Sequence, residues 1–138
     1  MFEKIINSKS IFSVGLSNSK EVDNDGIVIA TKNSMKKSLD KINYDYALID
    51  SVDLMINKPY FNFNKADSIS VSVAAASIIA KVCRDSMMTN IYDKLYPDYF
   101  FKNNKGYGSN KHIEIMKNIG LCPIHRKTFK PNSELIRK

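Results

Sequence analysis

The sequence predicts an α/β domain in which helices pack around a small sheet. Two compact apolar stretches, 46–50 (YALID) and 60–64 (YFNFN), have the length and pattern of strands. Segments with helical apolar spacing stand before the first and after the second. Together with a candidate strand nearer the N-terminus, these give the order strand–helix–strand–strand–helix.

Taken in order, residues 2–7 read as the end of a helix, 10–16 (SIFSVGL) as a short strand and 17–20 as a polar turn. Over 21–42, apolar positions recur at Ile27, Ala30, Ser34/Met35, Leu39 and Ile42, close to the 3.6-residue period of one amphipathic helix. The stretch 46–50 follows as a strand, and 51–59 is a connection broken by Pro59. Aromatic and Asn residues then alternate over 60–64, the signature of a half-buried strand. A long helix is expected over 70–95, ended by Pro97, and its opening run of small residues lets it lie close against a sheet. Residues 100–108 form a basic, glycine-containing loop. Ser109 is placed to cap a helix over 110–119 that stops at Gly120, and 122–138 reads as irregular. No repeat or interdomain linker interrupts the 138 residues, so they read as one domain: 1–99 the sheet with its packing helices, 100–138 a basic C-terminal extension.

Charge narrows the range of functions. Residues 1–99 hold twelve Lys/Arg and twelve Asp/Glu, whereas 100–138 hold nine basic and two acidic residues, so the whole net charge of +7 lies in the last segment. A clustered positive potential suits a polyanionic partner, although a merely solvated tail has the same composition. The longest apolar run, 71–80, is interrupted by Ser72 and Ser77 and falls short of the roughly 18–20 residues of a membrane span. Glu3 and Lys4 break the first apolar stretch, unlike the apolar core of a signal peptide. Cys83 and Cys122 have no metal-ligand spacing and fit free thiols in a reducing compartment, so a cytoplasmic location is expected.

Two aspartates end structural elements. Asp50 closes the first strand, and Asp67 follows the second just before the long helix. Neighbouring strands would bring both carboxylates to one end of the sheet, where a hard divalent cation would offset their repulsion. The plainer alternative is that each caps a turn. Arg84 and Asp85, adjacent on the long helix, suit a local salt bridge. Farther on, Lys105, Gly106, Tyr107 and Gly108 interleave a cation and an aromatic ring with glycines that allow close backbone approach, a composition suited to a nucleotide's sugar or base. His125, Arg126 and Lys127 add a second basic cluster; phosphate contact and plain solvation both fit it.

These segments, taken together, resemble ribonuclease HII. The matching strings are Glu21-Val22-Asp23 with Ile27 and Ala30-Thr31, Leu48-Ile49-Asp50, and Lys65-Ala66-Asp67. They continue through residues 72–82 (SVAAASIIAKV) with Arg84-Asp85, Tyr96-Pro97, Lys105-Gly106-Tyr107-Gly108, and Pro123-Ile124-His125-Arg126 with Phe129. The resemblance covers nearly the whole chain. It implies a ribonuclease H-like fold and endonucleolytic cleavage of the RNA strand of RNA–DNA hybrids, and at ribonucleotides embedded in DNA duplexes. It also implies four carboxylates that hold Mg2+ or Mn2+ for a two-metal in-line displacement. By motif, Asp50 is similar to the third carboxylate and Asp67 to the fourth, both catalytic and metal-binding. Tyr107 is similar to the tyrosine that meets the ribonucleotide's 2′-hydroxyl, and Lys105, Gly106, His125 and Arg126 join it as substrate-binding residues. Asp85 is not a metal ligand by this resemblance and is expected to hold the helix end.

The sequence departs from the family in one large respect. The family's first two carboxylates form an adjacent Asp-Glu pair followed by Gly-Arg-Gly, and neither string occurs here. The resemblance therefore implies a ribonuclease H-like fold without its first strands, with unpaired edges beside 10–16 and 46–50 and a complementing N-terminal segment as a partner. Smaller departures are Ser51, Ala66 and Gly26 at positions where Gly, Gly and Asn are usual, and one additional residue before Tyr96-Pro97. Two functional expectations follow: a hybrid-cutting nuclease, or an inactive remnant that only binds nucleic acid. A structural or interaction domain with an incidental basic tail ranks last, because it leaves the Lys-Ala-Asp and Lys-Gly-Tyr strings unexplained.

Overall fold

A computed structural model of the chain describes residues 1–136. The chain divides into two compact units, Met1–Ser17 with Asp25–Val82, and Asn18–Asn24 with Cys83–Lys138.

In the first unit, helix α1 (Phe2–Ile6) precedes a stretch without regular secondary structure. Helix α2 (Ser19–Asp25) lies almost wholly in the second unit; the first unit resumes with α3 (Ile27–Leu39) and strands β1 (Ala47–Asp50) and β2 (Tyr60–Phe63). The strands pair in parallel, Ala47 opposite Tyr60 through Asp50 opposite Phe63. Alternation on β1 turns Ala47 and Ile49 inward, where they pack with Leu54, Met35, Leu39 and Tyr60. Leu54, from the connection between the strands, is fully buried and anchors that loop. A short helix α4 (Ala66–Ile69) leads into the long helix α5 (Val71–Met87), whose residues up to Val82 belong to this unit.

Three expectations are corrected here. Residues 10–16 form no strand, and the sheet has two strands among the described residues. A strand needs a ladder partner, and here the segment is tied to α3 and the turn after it instead. Lys41 Nζ donates to the Val14 carbonyl (2.9 Å), Lys37 Nζ to that of Leu16 (3.0 Å), and Ser13 Oγ to that of Ser38. The single helix expected over 21–42 is two helices, divided at Gly26 with φ +82°. The turn expected at 17–20 already begins α2. Asn18 Oδ1 accepts from Glu21 N (3.0 Å) while Glu21 Oε2 accepts from Asn18 N (2.7 Å), a reciprocal capping box that satisfies two donors at the helix start.

In the second unit, α5 continues to Met87 and then passes through a π-helical turn (Met88–Tyr92) into α6 (Asp93–Leu95). The predicted helix over 70–95 is thus helical almost throughout, with a change of hydrogen-bond step near its end. An i→i+5 turn takes up one more residue than an α-helical turn while the helix continues. A 3₁₀ turn (Pro97–Tyr99), α7 (Phe101–Asn104), α8 (Asn110–Ile119) and α9 (Asn132–Leu135) complete the unit. Helix α8 starts and stops as the sequence predicts: Ser109 Oγ accepts from His112 N (3.3 Å), and Gly120 ends it. The last segment, expected to be irregular, contains α9. The core joins Tyr99, Phe101, Met116 and Cys122, with the Tyr99 and Phe101 rings stacked at 5.6 Å. No helix of the described residues is long and apolar enough to cross a membrane.

Candidate active site and nucleic-acid interface

In the first unit, the β1 sequence ALID runs three apolar residues into a carboxylate. Asp50 is half-buried, and its Oδ1 accepts from the backbone N–H of Ala66 (3.0 Å) and from Ser51 Oγ (2.8 Å). These donors and the Lys65 backbone N–H stabilise the charged form and hold its carboxyl below the usual carboxylate range, so Asp50 is ionised at neutral pH. Lys65 adopts a left-handed conformation (φ +58°) and swings the chain from β2 into α4, whose first turn carries Asp67. Asp50 thus bonds to the residue immediately before Asp67, and the structure brings these two aspartates onto adjoining elements. Asp67 is exposed.

Ionised carboxylates are the donors that hard divalent cations take. Asp50 and Asp67 fit one side of such a site. Among the described residues, however, no group of three or more His, Cys, Asp or Glu could hold a metal ion. The remaining oxygen ligands would have to come from elsewhere.

In the second unit, a hydrogen-bond network built on Asn104 shapes the Lys105–Gly106–Tyr107 turn. Its Oδ1 accepts from Gly106 N (2.7 Å), and its Nδ2 donates to the Tyr99 carbonyl (2.7 Å). Gly106 has φ +73°, which favours glycine, and an added Cβ would stand 3.0 Å from Cε at the flexible end of Met88. Lys105 Nζ donates to Thr89 Oγ1 (2.6 Å) on the π-helical turn and to the Lys102 carbonyl, which ties the loop to the helix. Tyr107 is 51% exposed, and the Arg84 guanidinium lies 4.7 Å from its ring centroid. Arg84 also pairs with Asp85 at 3.1 Å, the local salt bridge expected from their adjacency.

The second basic cluster divides. Arg126 stacks its guanidinium over Phe129 at 3.8 Å. His125 is buried: its Nε2 meets His112 Nε2 at 3.2 Å, and its Nδ1 lies 3.1 Å from Cys122 Sγ. The structure therefore places His125 in the core and not on the surface where a phosphate would meet it.

Sequence reasoning did not single out two organising residues. Asp23 accepts from Lys127 N (2.8 Å), Thr128 N (2.9 Å) and Thr128 Oγ1 (2.7 Å), clamping the basic segment. Those bonds hold its carboxyl below the usual range against the opposing effect of burial. No local pattern announces a contact across 104 residues. Asn104 was legible only as part of a polar loop, since its role depends on where Tyr99 and His112 fold.

Residues 2–132 match the family model described as Ribonuclease HII. The chain belongs to the ribonuclease HII family. It is 41% identical to a ribonuclease HII of Enterococcus faecalis over 99% of this chain and 54% of that protein. It is 40% identical to one of Acholeplasma laidlawii over 100% of this chain and 68% of that protein. A third, of Listeria innocua, is 42% identical over 97% of this chain and 52% of that protein. The chain therefore spans about half the length of two of these ribonuclease HII relatives and about two thirds of the other. All seven site residues named from the sequence fall within the region matched to ribonuclease HII.

Proposed function

We propose that this chain supplies the Asp50–Asp67 carboxylates and the Tyr107 loop of an endoribonuclease acting on RNA–DNA hybrids and on ribonucleotides within DNA duplexes. One observation carries the reading. In a ribonuclease HII family chain, Asp50 is held ionised at the end of β1 against the start of α4, the helix that bears Asp67. A divalent cation, Mg2+ or Mn2+, would supply Lewis acidity and a nucleophilic hydroxide when bound. Asp50 and Asp67 would offer it carboxylate oxygens. The residues' own work is positional: the Ala66 N–H and Ser51 hydroxyl orient Asp50, and Tyr107 presents an exposed ring to a sugar. Lys105 and Arg126 place positive charge near the phosphates. His125 enters this reading as a core residue that supports the loop. A complementing segment carrying further carboxylates completes the ligand set, and the free thiols Cys83 and Cys122 fit a reducing, cytoplasmic setting.

A second reading is a binding-only remnant, favoured by the lack of a three-ligand group among the described residues. Cleavage of a labelled hybrid, measured with the chain alone and with the remainder of a relative added, separates the two. The nuclease reading expects metal-dependent cleavage in the mixture, abolished by Asp50→Asn or Asp67→Asn. Cleavage that survives both substitutions removes the carboxylates from the mechanism. Hybrid binding that weakens steeply with salt, and no cleavage under any mixture, leaves the remnant.

A further inference from the structure

Asn104 joins the Lys105–Gly106–Tyr107 turn to a pair of buried imidazoles, and its neighbours fix which way its amide lies. The Gly106 N–H can only donate, so Oδ1 faces it at 2.7 Å. The Tyr99 carbonyl can only accept, so Nδ2 faces it at 2.7 Å, and the second Nδ2 hydrogen is left for His112 Nδ1, 3.2 Å away. The two imidazoles meet through their Nε2 atoms at 3.2 Å, and at the far side the Cys122 backbone N–H donates to His125 Nδ1 (3.0 Å). A donor thus stands at each Nδ1. The Tyr99 and Phe101 rings pack against the pair at centroid distances of 5.1–6.4 Å. The Tyr99 hydroxyl donates to the Gly120 carbonyl (3.0 Å), and Lys111, Glu114 and Lys117 of α8 are exposed.

A neutral imidazole carries one ring proton. Both rings are neutral at pH 7: burial and then His112 push His125 down to about 4, and burial lowers His112 as well. If both Nδ1 atoms accept, both ring protons sit on Nε2 and confront each other over 3.2 Å. A hydrogen bond between the rings therefore requires opposite tautomers, and two arrangements satisfy it. In the first, His112 Nδ1 accepts from Asn104 and its Nε2 donates to His125. The His125 Nδ1–H then turns to the Cys122 carbonyl (3.3 Å) or Sγ (3.1 Å), and the buried Cys122 N–H loses its acceptor. In the second, His125 keeps the Cys122 N–H and donates from Nε2 to His112, whose Nδ1–H now faces the Asn104 amide hydrogens. Neither arrangement satisfies both ends.

We propose that His112 and His125 form a tautomeric coupler between two segments of the second unit. The proton held between their Nε2 atoms completes the hydrogen bonding of the Tyr107 loop, through Asn104, or that of the Cys122–His125 turn leading into Arg126, one at a time. Asn104 is then a positioning residue that acts on the loop through His112. Tightening one segment loosens the other, and the effect runs equally in both directions because it is a free energy shared by two sites. The coupler goes beyond the proposed function: it stands on the chemistry of this core whether or not the chain cuts hybrids.

The test uses the full 138-residue chain without nucleic acid, so it can fail while the nuclease reading stands. Ring-nitrogen NMR at neutral pH reports which nitrogen of each histidine carries the proton. In the unaltered chain, the fraction of His112 protonated on Nδ1 is expected to match the fraction of His125 protonated on Nε2. Asn104→Ala removes the donor at His112 Nδ1 and should move both rings to the second arrangement. The Cys122 N–H, secured there, should then exchange more slowly by roughly tenfold, although the substitution lies on the loop side. An Asn104 that merely supports the fold would leave the His125 tautomer unmoved and speed exchange on both sides. Asn104→Asp, which puts an acceptor opposite His112 Nδ1, should drive the same shift further. Two rings with the same tautomer in the unaltered chain, a measurement that needs no variant, overturn the proposal. So does a His125 tautomer that stays put in both variants while protection of the Met116 amide shows the core to be folded.

Discussion

The two units close their cores to different degrees. In the second, the Tyr99, Phe101, His112 and His125 rings interlock at centroid distances of 5.1–6.4 Å, and Phe101 and His112 are among the three largest fully buried side chains. Its buried polar groups His112, His125 and Asn132 all have partners. In the first, the sheet buries Ala47 and Ile49 on one face, while Leu48 and Phe61, opposite each other on the remaining face, are exposed and β1 borders an open cavity. A region that satisfies its own apolar surface is stabilised from within. A region that leaves apolar side chains and a strand edge uncovered has much less to lose when one of them is removed.

The largest expected effect tests that contrast directly. Phe101→Ala removes a ring that is 1% exposed and leaves a cavity among Tyr99, His112 and His125, at a cost of about 3–5 kcal/mol. Leu48→Ala, at a side chain 43% exposed, is expected to change stability by no more than about 0.5 kcal/mol. Urea unfolding of the two variants, read by residue-resolved exchange in each unit, measures both. Equal costs would mean that Leu48 is packed as tightly as Phe101 and would end the comparison.

The next effect comes from the paired histidines. Burial, followed by the nearby His112, pushes His125 down to about 4 from its ordinary 6.5, and burial lowers His112 as well. The Nε2–Nε2 contact at 3.2 Å takes one proton, and a second charge there would be unpaired. Both folded-state values lie below the unfolded value, so the folded protein binds fewer protons in this window. The resulting stability is fully present above about pH 6.5, falls as pH drops toward 4, and then levels off. The loss is expected in the second unit, whose core holds both imidazoles. Unfolding curves at pH 7 and pH 4.5 should show it, and His125→Phe should flatten the dependence. A slope unchanged in His125→Phe would assign the acid sensitivity to other groups.

How much of this was legible depends on the range of the contacts involved. The two strands, the Ser109 cap and the Gly120 stop were readable because each depends on a few adjacent residues. The Arg84–Asp85 bridge was readable for the same reason. The Asn18–Glu21 capping box is also local, and its Asn-x-x-Glu signal is present, but the stretch also reads as a turn because helical periodicity sets in only later. Residues 10–16 have a strand-like composition but form no strand, because strand character needs a neighbour that no local pattern supplies. The site split along the same line. Asp50 and Asp67 could be named from their places at element ends, but the Ala66 N–H that holds Asp50 ionised could not. His125 looked like a surface cation beside Arg126 and Lys127, because only the folded arrangement reveals the imidazole of His112 across from it.

The smallest predicted effect asks whether the closed unit's Lys105–Gly106–Tyr107 loop shares the rigidity of its core. Gly106 has a positive φ, and its Cα faces Met88 on the π-helical turn while its N–H is held by Asn104. Gly106→Ala places a Cβ in the left-handed region, which costs about 1–2 kcal/mol, and brings it 3.0 Å from the flexible end of Met88, which can shift. The cost therefore falls mainly on the backbone, and relief comes from the loop leaving its left-handed conformation. That movement carries Tyr107 away from Arg84, so under the proposed function the variant should lose any discrimination between hybrid and all-DNA duplexes by more than it loses global stability. Binding measured against both duplexes at one salt concentration, beside an unfolding curve, separates the two losses. If stability falls by the expected amount and discrimination is unchanged, the position of the Tyr107 ring does not set the preference, and the loop's rigidity serves the core alone.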